Sequence, residues 1–217
     1  IVQIIGSGSI GQTYLIENKD KEKYVMKIRH PNIKTQLFYF KLIYRILDNL
    51  CLLNKLKKNF PFYINNFIEN FETQSNFINE ANNMLFFSNL YKDNDFVIIP
   101  TLYKCSESII IMSYEEGTSF FELQSSIYTK NQCCLVLDAF IKSNNIIYNF
   151  NHGDLHKGNW KIRDKCKIVL YDFGYCYRLN EDPSFLKDIL KVFESIEKCE
   201  QDLIINIIYN IIITKKK

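Results

Sequence analysis

The chain has 217 residues, 47% hydrophobic and 15% aromatic, and its 27 basic and 24 acidic residues leave a net charge of +3. These values fit one globular domain, or two lobes sharing a cleft, with apolar material for a sizeable core. So small a positive excess gives no electrostatic ground for binding nucleic acid or a membrane, and nucleic acid is not expected among the partners.

Three apolar runs open the chain, at 1–5, 12–17 and 23–29, with a polar turn at 18–22 between the last two. They read as strands. The first joint is Gly6-Ser7-Gly8-Ser9-Ile10-Gly11, a GxGxxG whose glycines let backbone amides approach phosphate without a side-chain clash. A dinucleotide-binding turn of this kind opens a helix. Here Gln12-Thr13-Tyr14-Leu15 alternates like a strand, which favours a flap over phosphates, with a plain glycine-rich hairpin turn as the alternative. Lys27 stands in an apolar strand, Tyr24-Val25-Met26-Lys27-Ile28. A buried ammonium calls for an anionic partner, whereas an edge-strand lysine would simply face solvent. His30-Pro31-Asn32 ends the strand, because proline cannot continue it and asparagine suits a helix cap.

Residues 35–58 repeat apolar positions near a 3.6 period, among them Leu37, Phe38, Leu42, Ile46, Leu53 and Leu56. An amphipathic helix packed on the small N-terminal part is expected. Residues 60–71 read as a connector. A second helix at about 73–91 is expected to bury Phe77, Ala81, Met84, Leu85, Ser88 and Leu90, with Glu80 on or near that face. A carboxylate there wants a cation, for which Lys27 is the obvious choice; a solvated helix glutamate is the alternative. Buried strands are expected at 96–100 and 108–113. Met112-Ser113-Tyr114-Glu115-Glu116-Gly117 then forms a link, the charges of Glu115 and Glu116 reading as solvated surface.

A helix over 131–149 leads into the densest stretch, HGDLHKGNWKIRDKCKIVLYDFG at 152–174. Asp154 opens a loop that Asn159 closes, and a short hairpin returns Asp172 beneath it. Asn159 and Asp172 suit the octahedral oxygen coordination of Mg²⁺, with phosphate oxygens and waters as the other ligands. Chance loop polars beside a buried strand are the alternative. A helix at about 182–198 and an apolar one at 203–213 complete the chain, which ends in three lysines. The last helix is too short to span a bilayer and reads as core packing, or as association with a membrane surface. The seven cysteines contain no CxxC pair and there are three histidines, a pattern that fits neither a zinc site nor a disulfide framework. Reduced thiols and an intracellular location are expected.

In order, the glycine flap, Lys27, Glu80, the link near residue 115, the Asp154 loop and the Asp172 triplet resemble the parts of a protein kinase. Four segments resemble the UbiB-type (aarF-domain-containing) atypical kinase family in particular. These are Ser9-Ile10-Gly11-Gln12-Thr13-Tyr14, Met26-Lys27-Ile28-Arg29-His30-Pro31-Asn32-Ile33, Phe77-Ile78-Asn79-Glu80-Ala81-Asn82-Asn83, and the H-x-D-L-H-x-G-N run from His152 to Asn159. The resemblance covers about residues 1–180. It implies an α+β, two-lobed protein-kinase-like fold forming one domain over 1–217. The N-lobe at 1–114 would hold an antiparallel sheet, the helical insert 35–58 and an αC-like helix at 73–91. The C-lobe at 115–217 would be mostly helical, with a truncated activation segment.

The resemblance also implies ATP and Mg²⁺ as cofactors. Asp154 would orient or deprotonate the acceptor, Lys27 would grip phosphates and Glu80 would position it. Gly6, Ser7, Gly8, Ser9 and Gly11 would cover the nucleotide, Met112 and Tyr114 would meet its base, and Asn159 and Asp172 would hold the metal. A link to isoprenoid-quinone biosynthesis and lipid handling is implied as well. Three departures stand out: Gly6 and Gly8 replace the family's alanine-rich first loop, Gln74-Ser75-Asn76 replaces an acidic E-x-D, and the KxGQ segment is not among these residues. The family's N-terminal extension is therefore expected to be lost or to lie outside the chain, with ordinary kinase-like ATP binding. No Ala-Pro-Glu motif follows Asp172, which argues against a peptide platform and leaves the acceptor open among small molecules, lipids and proteins. Aminoglycoside and choline kinases share the HGDLHxGN loop, so a small-molecule kinase is an alternative, and a non-catalytic nucleotide-binding scaffold is a third reading.

Overall fold

A computed structural model of the chain describes residues 1–50, 64–119, 122, 127–164, 167–179 and 183–198. The chain divides into two compact units, Ile1–Val136 with Gly153–Cys176, and Leu137–His152 with Tyr177–Lys217.

The first unit opens with β1 (Gln3–Ser7), β2 (Gly11–Glu17) and β3 (Lys23–Arg29), close to the runs that the alternation marks. They join β6 (Ile109–Ser113) and β5 (Leu102–Cys105) in an antiparallel sheet of order β1-β2-β3-β6-β5. Leu15, Val25 and Met112 stand opposite one another across three strands, and all are buried. Side chains two apart on a strand share a face, so Lys27 projects from the same side as Val25. Strand β5 was not anticipated, and the expected strand at 96–100 is reduced to β4 (Val97–Ile98).

The segment after β3 departs from expectation in two ways. Helix α1 (Ile33–Asn49) begins at Asn32, whose left-handed backbone (φ 66) turns the chain without any side-chain cap. Only Ile33 and Leu37 of it are buried, whereas Phe38, Leu42, Ile46 and Leu50 are exposed. Ile33 and Leu37 lie one above the other at i, i+4, and the exposed set is rotated off that line. The expected packing face is therefore largely solvent-facing; residues 51–58 of the expected helix lie outside the described residues. From residue 64 on, the expected connector is instead part of helix α2 (Ile64–Gln74), with Ile68 buried on its inner side; its residues 60–63 lie outside the described residues.

Helix α3 (Phe77–Leu90) follows, so the expected 73–91 helix is two helices. The break has a local cause: the Ser75 hydroxyl donates to Glu72 O, closing α2, and Asn76 Oδ1 accepts from Ile78 N, capping α3. Phe77, Glu80, Ala81, Met84 and Phe87 form the buried stripe. Leu85, expected inside, is exposed because one residue past Met84 turns away from that stripe.

A second, three-stranded sheet of order β4-β9-β8 contains the hairpin β8 (Trp160–Arg163) and β9 (Lys167–Leu170), with β4 parallel to β9. Trp160, Ile162, Ile168, Val169 and Leu170 anchor it in the core. Asn159 immediately precedes this hairpin and Asp172 closely follows it.

In the second unit, helix α4 (Ile127–Ser143), whose first residues belong to the first unit, passes into a π-helical turn (Asn144–Tyr148) that ends on left-handed Asn149. The Asn149 side chain accepts from Leu179 N and donates to Leu179 O. Strand β7 (Asn151–His152) comes next, and helix α5 (Pro183–Glu197) matches the helix expected at 182–198. The apolar run 203–213 lies outside the described residues.

Candidate functional site

Lys27 Nζ donates to both oxygens of Glu80, at 2.9 and 2.8 Å, and to Asp172 Oδ1 at 3.0 Å. Glu80 falls on the apolar stripe of α3 and is 2% exposed. A carboxylate in that position needs a cation, and β3 supplies one from the opposite side. Burial by itself would lower the Lys27 pKa, but the charges of Glu80 and Asp172 outweigh it and hold the ammonium above its ordinary value. Burial likewise lifts the Glu80 carboxyl above its ordinary value of 4.5; Lys27 opposes that shift and Asp172 adds to it.

Asp172 adopts a left-handed backbone, φ 54, a conformation that costs non-glycine residues on the order of 1 kcal/mol and that Asp tolerates better than most. The neighbouring residues hold it there. Asn83 of α3 donates to Phe173 O at 2.9 Å, and the buried Phe173 ring lies 5.4 Å from that of Phe87. Asn159 Nδ2 donates to Asp154 O at 2.8 Å and to Asp154 Oδ2 at 3.3 Å. With its nitrogen so committed, Asn159 turns its amide oxygen elsewhere. His156 Nε2 stands 3.7 Å from Asp154 Oδ2.

The glycine turn is closed by Gly8 N donating to Gly11 O at 2.9 Å. Gly11 is required by packing, since a Cβ there would meet Ile28 O at 2.6 Å. Gly6 and Gly8 are not: their nearest neighbours would lie 3.7 and 3.8 Å away, and neither has a positive φ. The fold leaves room above them that it does not use.

That room belongs to a cavity of about 790 Å³ lined entirely by residues of the first unit. Gly6, Ser7, Gly8, Ser9 and Gly11 line it on the turn side, Met112 and Tyr114 at the link, and Lys27, Glu80, Asp154, Asn159 and Asp172 at its polar end. Sequence reasoning missed further lining residues, including Val25, Lys161, Tyr171 and His156. Strand alternation gave a signal for Val25, two positions from Lys27, and Tyr171 adjoins Asp172. The link also corrects an expectation: Glu115 is not simply solvated, because its carboxylate accepts from Arg163 at 2.8 Å and its carbonyl from the Tyr171 hydroxyl at 2.9 Å.

Among the described residues no group of three or more His, Cys, Asp or Glu side chains forms a metal site by itself. Asn159 and Asp172 offer oxygen donors only, which suits a hard cation that completes its shell from phosphate and water. No helix among the described residues is long and apolar enough to cross a membrane.

Comparison with known proteins places these features in a family. The chain is 22% identical over 217 residues to AarF domain-containing protein kinase 1 of Gallus gallus, covering 90% of this chain and 39% of that protein. It is 26% identical over 223 residues to AarF domain-containing kinase 1 of Drosophila melanogaster, covering 91% and 39%. Protein ACTIVITY OF BC1 COMPLEX KINASE 1, chloroplastic, of Arabidopsis thaliana is 26% identical over 192 residues, covering 79% and 26%. The chain thus spans well under half the length of these relatives. Its fold is similar to that in the complex structure of Rv3197–erythromycin from Mycobacterium tuberculosis, with a TM-score of 0.68 at 17% identity, covering 94% of this chain and 52% of that one. The ABC1 atypical kinase-like domain matches residues 2–208. With an α+β kinase-like fold and a family match over nearly its whole length, the chain belongs to the ABC1 atypical kinase-like family, the UbiB-type group that its motifs resemble.

Proposed function

We propose that this chain binds ATP with Mg²⁺ and catalyses phosphoryl transfer, as a kinase or an ATPase. The observation that carries the reading is the convergence of Lys27, Glu80 and Asp172 on one ion triad, in the cavity that Asp154, Asn159 and the glycine turn also line. Lys27 would hold phosphate oxygens, with Glu80 fixing the direction of its ammonium. Asn159 and Asp172 would hold the cation, which supplies charge neutralisation on the phosphates when bound. Asp154, oriented by the Asn159 amide, would accept the proton of the attacking hydroxyl. Much of the rate would come from positioning and fixed charge.

The acceptor would be a small molecule or a lipid rather than a peptide, because helix α5 already begins at Pro183, which leaves a short interval after Gly174 for a peptide platform. The quinone and lipid connection implied by the UbiB-type resemblance makes isoprenoid phenols the first acceptors to try. The test uses the purified chain. Saturating MgATP, about 100 times Kd, should raise its stability by about 2.7 kcal/mol. Asp172→Asn should remove that gain; an unchanged gain would overturn the metal role. Asp154→Asn should keep the gain and lose turnover, measured with and without a phenolic isoprenoid. Turnover at the wild-type rate would remove Asp154 as the base.

A further inference from the structure

Besides its own backbone, the exit of β3 holds the glycine turn. His30 Nε2 lies 3.0 Å from Gly8 O, and His30 N donates to Ile10 O at 2.9 Å. A carbonyl oxygen can only accept, so the ring carries its proton on Nε2. Neutral and protonated forms of the ring both have that proton, so protonation does not open the contact. The preceding residue grips the other side: Arg29 donates to Ser75 O at 2.8 Å, just before α3, and to Glu107 O at 3.1 Å. The strand that carries Lys27 thus ends in two residues facing opposite neighbours. One fastens the approach to the helix bearing Glu80, and the other fastens the tip of the turn.

We propose that His30 is a positioning residue that holds the glycine turn in its binding geometry before any ligand arrives. The physical need is plain. Nothing presses closer than 3.7 Å on the Cβ position of Gly6 or 3.8 Å on that of Gly8, and glycine loses more conformational freedom on ordering than any other residue. A turn left loose would charge that entropy to ligand binding, whereas one fixed at folding does not. His30 acts through Gly8 and Ile10 and is not itself among the residues lining the cavity.

This inference rests on the nucleotide reading above for its ligand, but not for its mechanics. The test compares the full chain with His30→Gln, whose amide can reach Gly8 O, and with His30→Asn, whose amide is too short. Hydrogen exchange without ligand should quicken at residues 6–11 in His30→Asn, stay unchanged over 77–90, and return towards wild type in His30→Gln. MgATP affinity should fall about tenfold in His30→Asn and recover in His30→Gln, while affinity for adenosine, which has no phosphates, should hold. Equal exchange at 6–11 in all three proteins overturns the inference. So does a loss of adenosine affinity as large as the loss for MgATP. A wild-type chain that binds no MgATP, yet shows the local exchange effect, overturns the nucleotide reading and leaves the positioning role standing.

Discussion

Lys27 keeps its charge in a place where burial alone would remove it, because two carboxylates reach the same ammonium. The dependence runs both ways, since Glu80 is 2% exposed and its two oxygens both rest on Lys27. Lys27→Ala leaves that carboxylate buried with no cation, a change that costs about 3–5 kcal/mol when the charge cannot be relieved. The carboxyl can relieve it by taking a proton. Glu80 already titrates above its ordinary 4.5, burial being the main cause, and losing Lys27 raises it further. A carboxyl raised in the folded state binds a proton that the unfolded chain does not. Its stabilising effect is therefore present below 4.5 and fades as pH rises through the folded value. Urea unfolding should show a larger deficit for Lys27→Ala at pH 8 than at pH 5.5, and a deficit independent of pH would show that Glu80 has found another partner.

The elements around the cavity separate residues that serve the fold from residues that serve the site. Gly11→Ala places a methyl 2.6 Å from Ile28 O and 3.1 Å from the Phe77 ring; overpacking of this kind costs about 1–3 kcal/mol. Gly8→Ala meets nothing closer than 3.8 Å, so thermal unfolding should place it at or slightly above wild type, by up to about 1 kcal/mol. Its methyl would nonetheless sit at the edge of the cavity, and MgATP affinity should drop. If Gly8→Ala is destabilised as much as Gly11→Ala, the space over the turn is not available to a ligand. Sequence and structure diverge along the same division. Strands β1 to β3 and the Glu80 stripe were legible because period-2 and period-3.6 patterns are local. Helix α2 was not, because Pro61 and the paired Asn65 and Asn66 spoke for a loop while Ile64, Ile68 and Phe71 keep helical spacing. The break at Ser75 turned on two side-chain caps that hydrophobic periodicity does not register. For the site, the charged members were legible from the cost of burying them. Lys161 was not, because nothing local says which face of β8 will meet the link, and Tyr171, at the exit of β9, was marked only by its place beside Asp172.

At the scale of the whole molecule, the sign of the charge depends on where it is read. The chain carries +3, yet the cavity is lined by Glu80, Glu115, Asp154 and Asp172 against Lys27 and Lys161, a formal excess of two negative charges. Lys27 is moreover already engaged by two of those carboxylates. A polyphosphate entering alone would therefore meet net repulsion. A divalent ion reverses this, since it is attracted by the same carboxylates and neutralises the phosphates. Ligand-induced stabilisation should accordingly depend on both components. ATP with EDTA should leave the melting temperature unchanged, and Mg²⁺ alone should raise it slightly. The two together should give the full shift, and salt should weaken the partial effect of Mg²⁺ by screening the half-exposed Asp172 and Asp154. A full shift with ATP in EDTA would mean that phosphate is held by donors other than this cavity's charged groups, and the negative lining would then have no part in nucleotide binding.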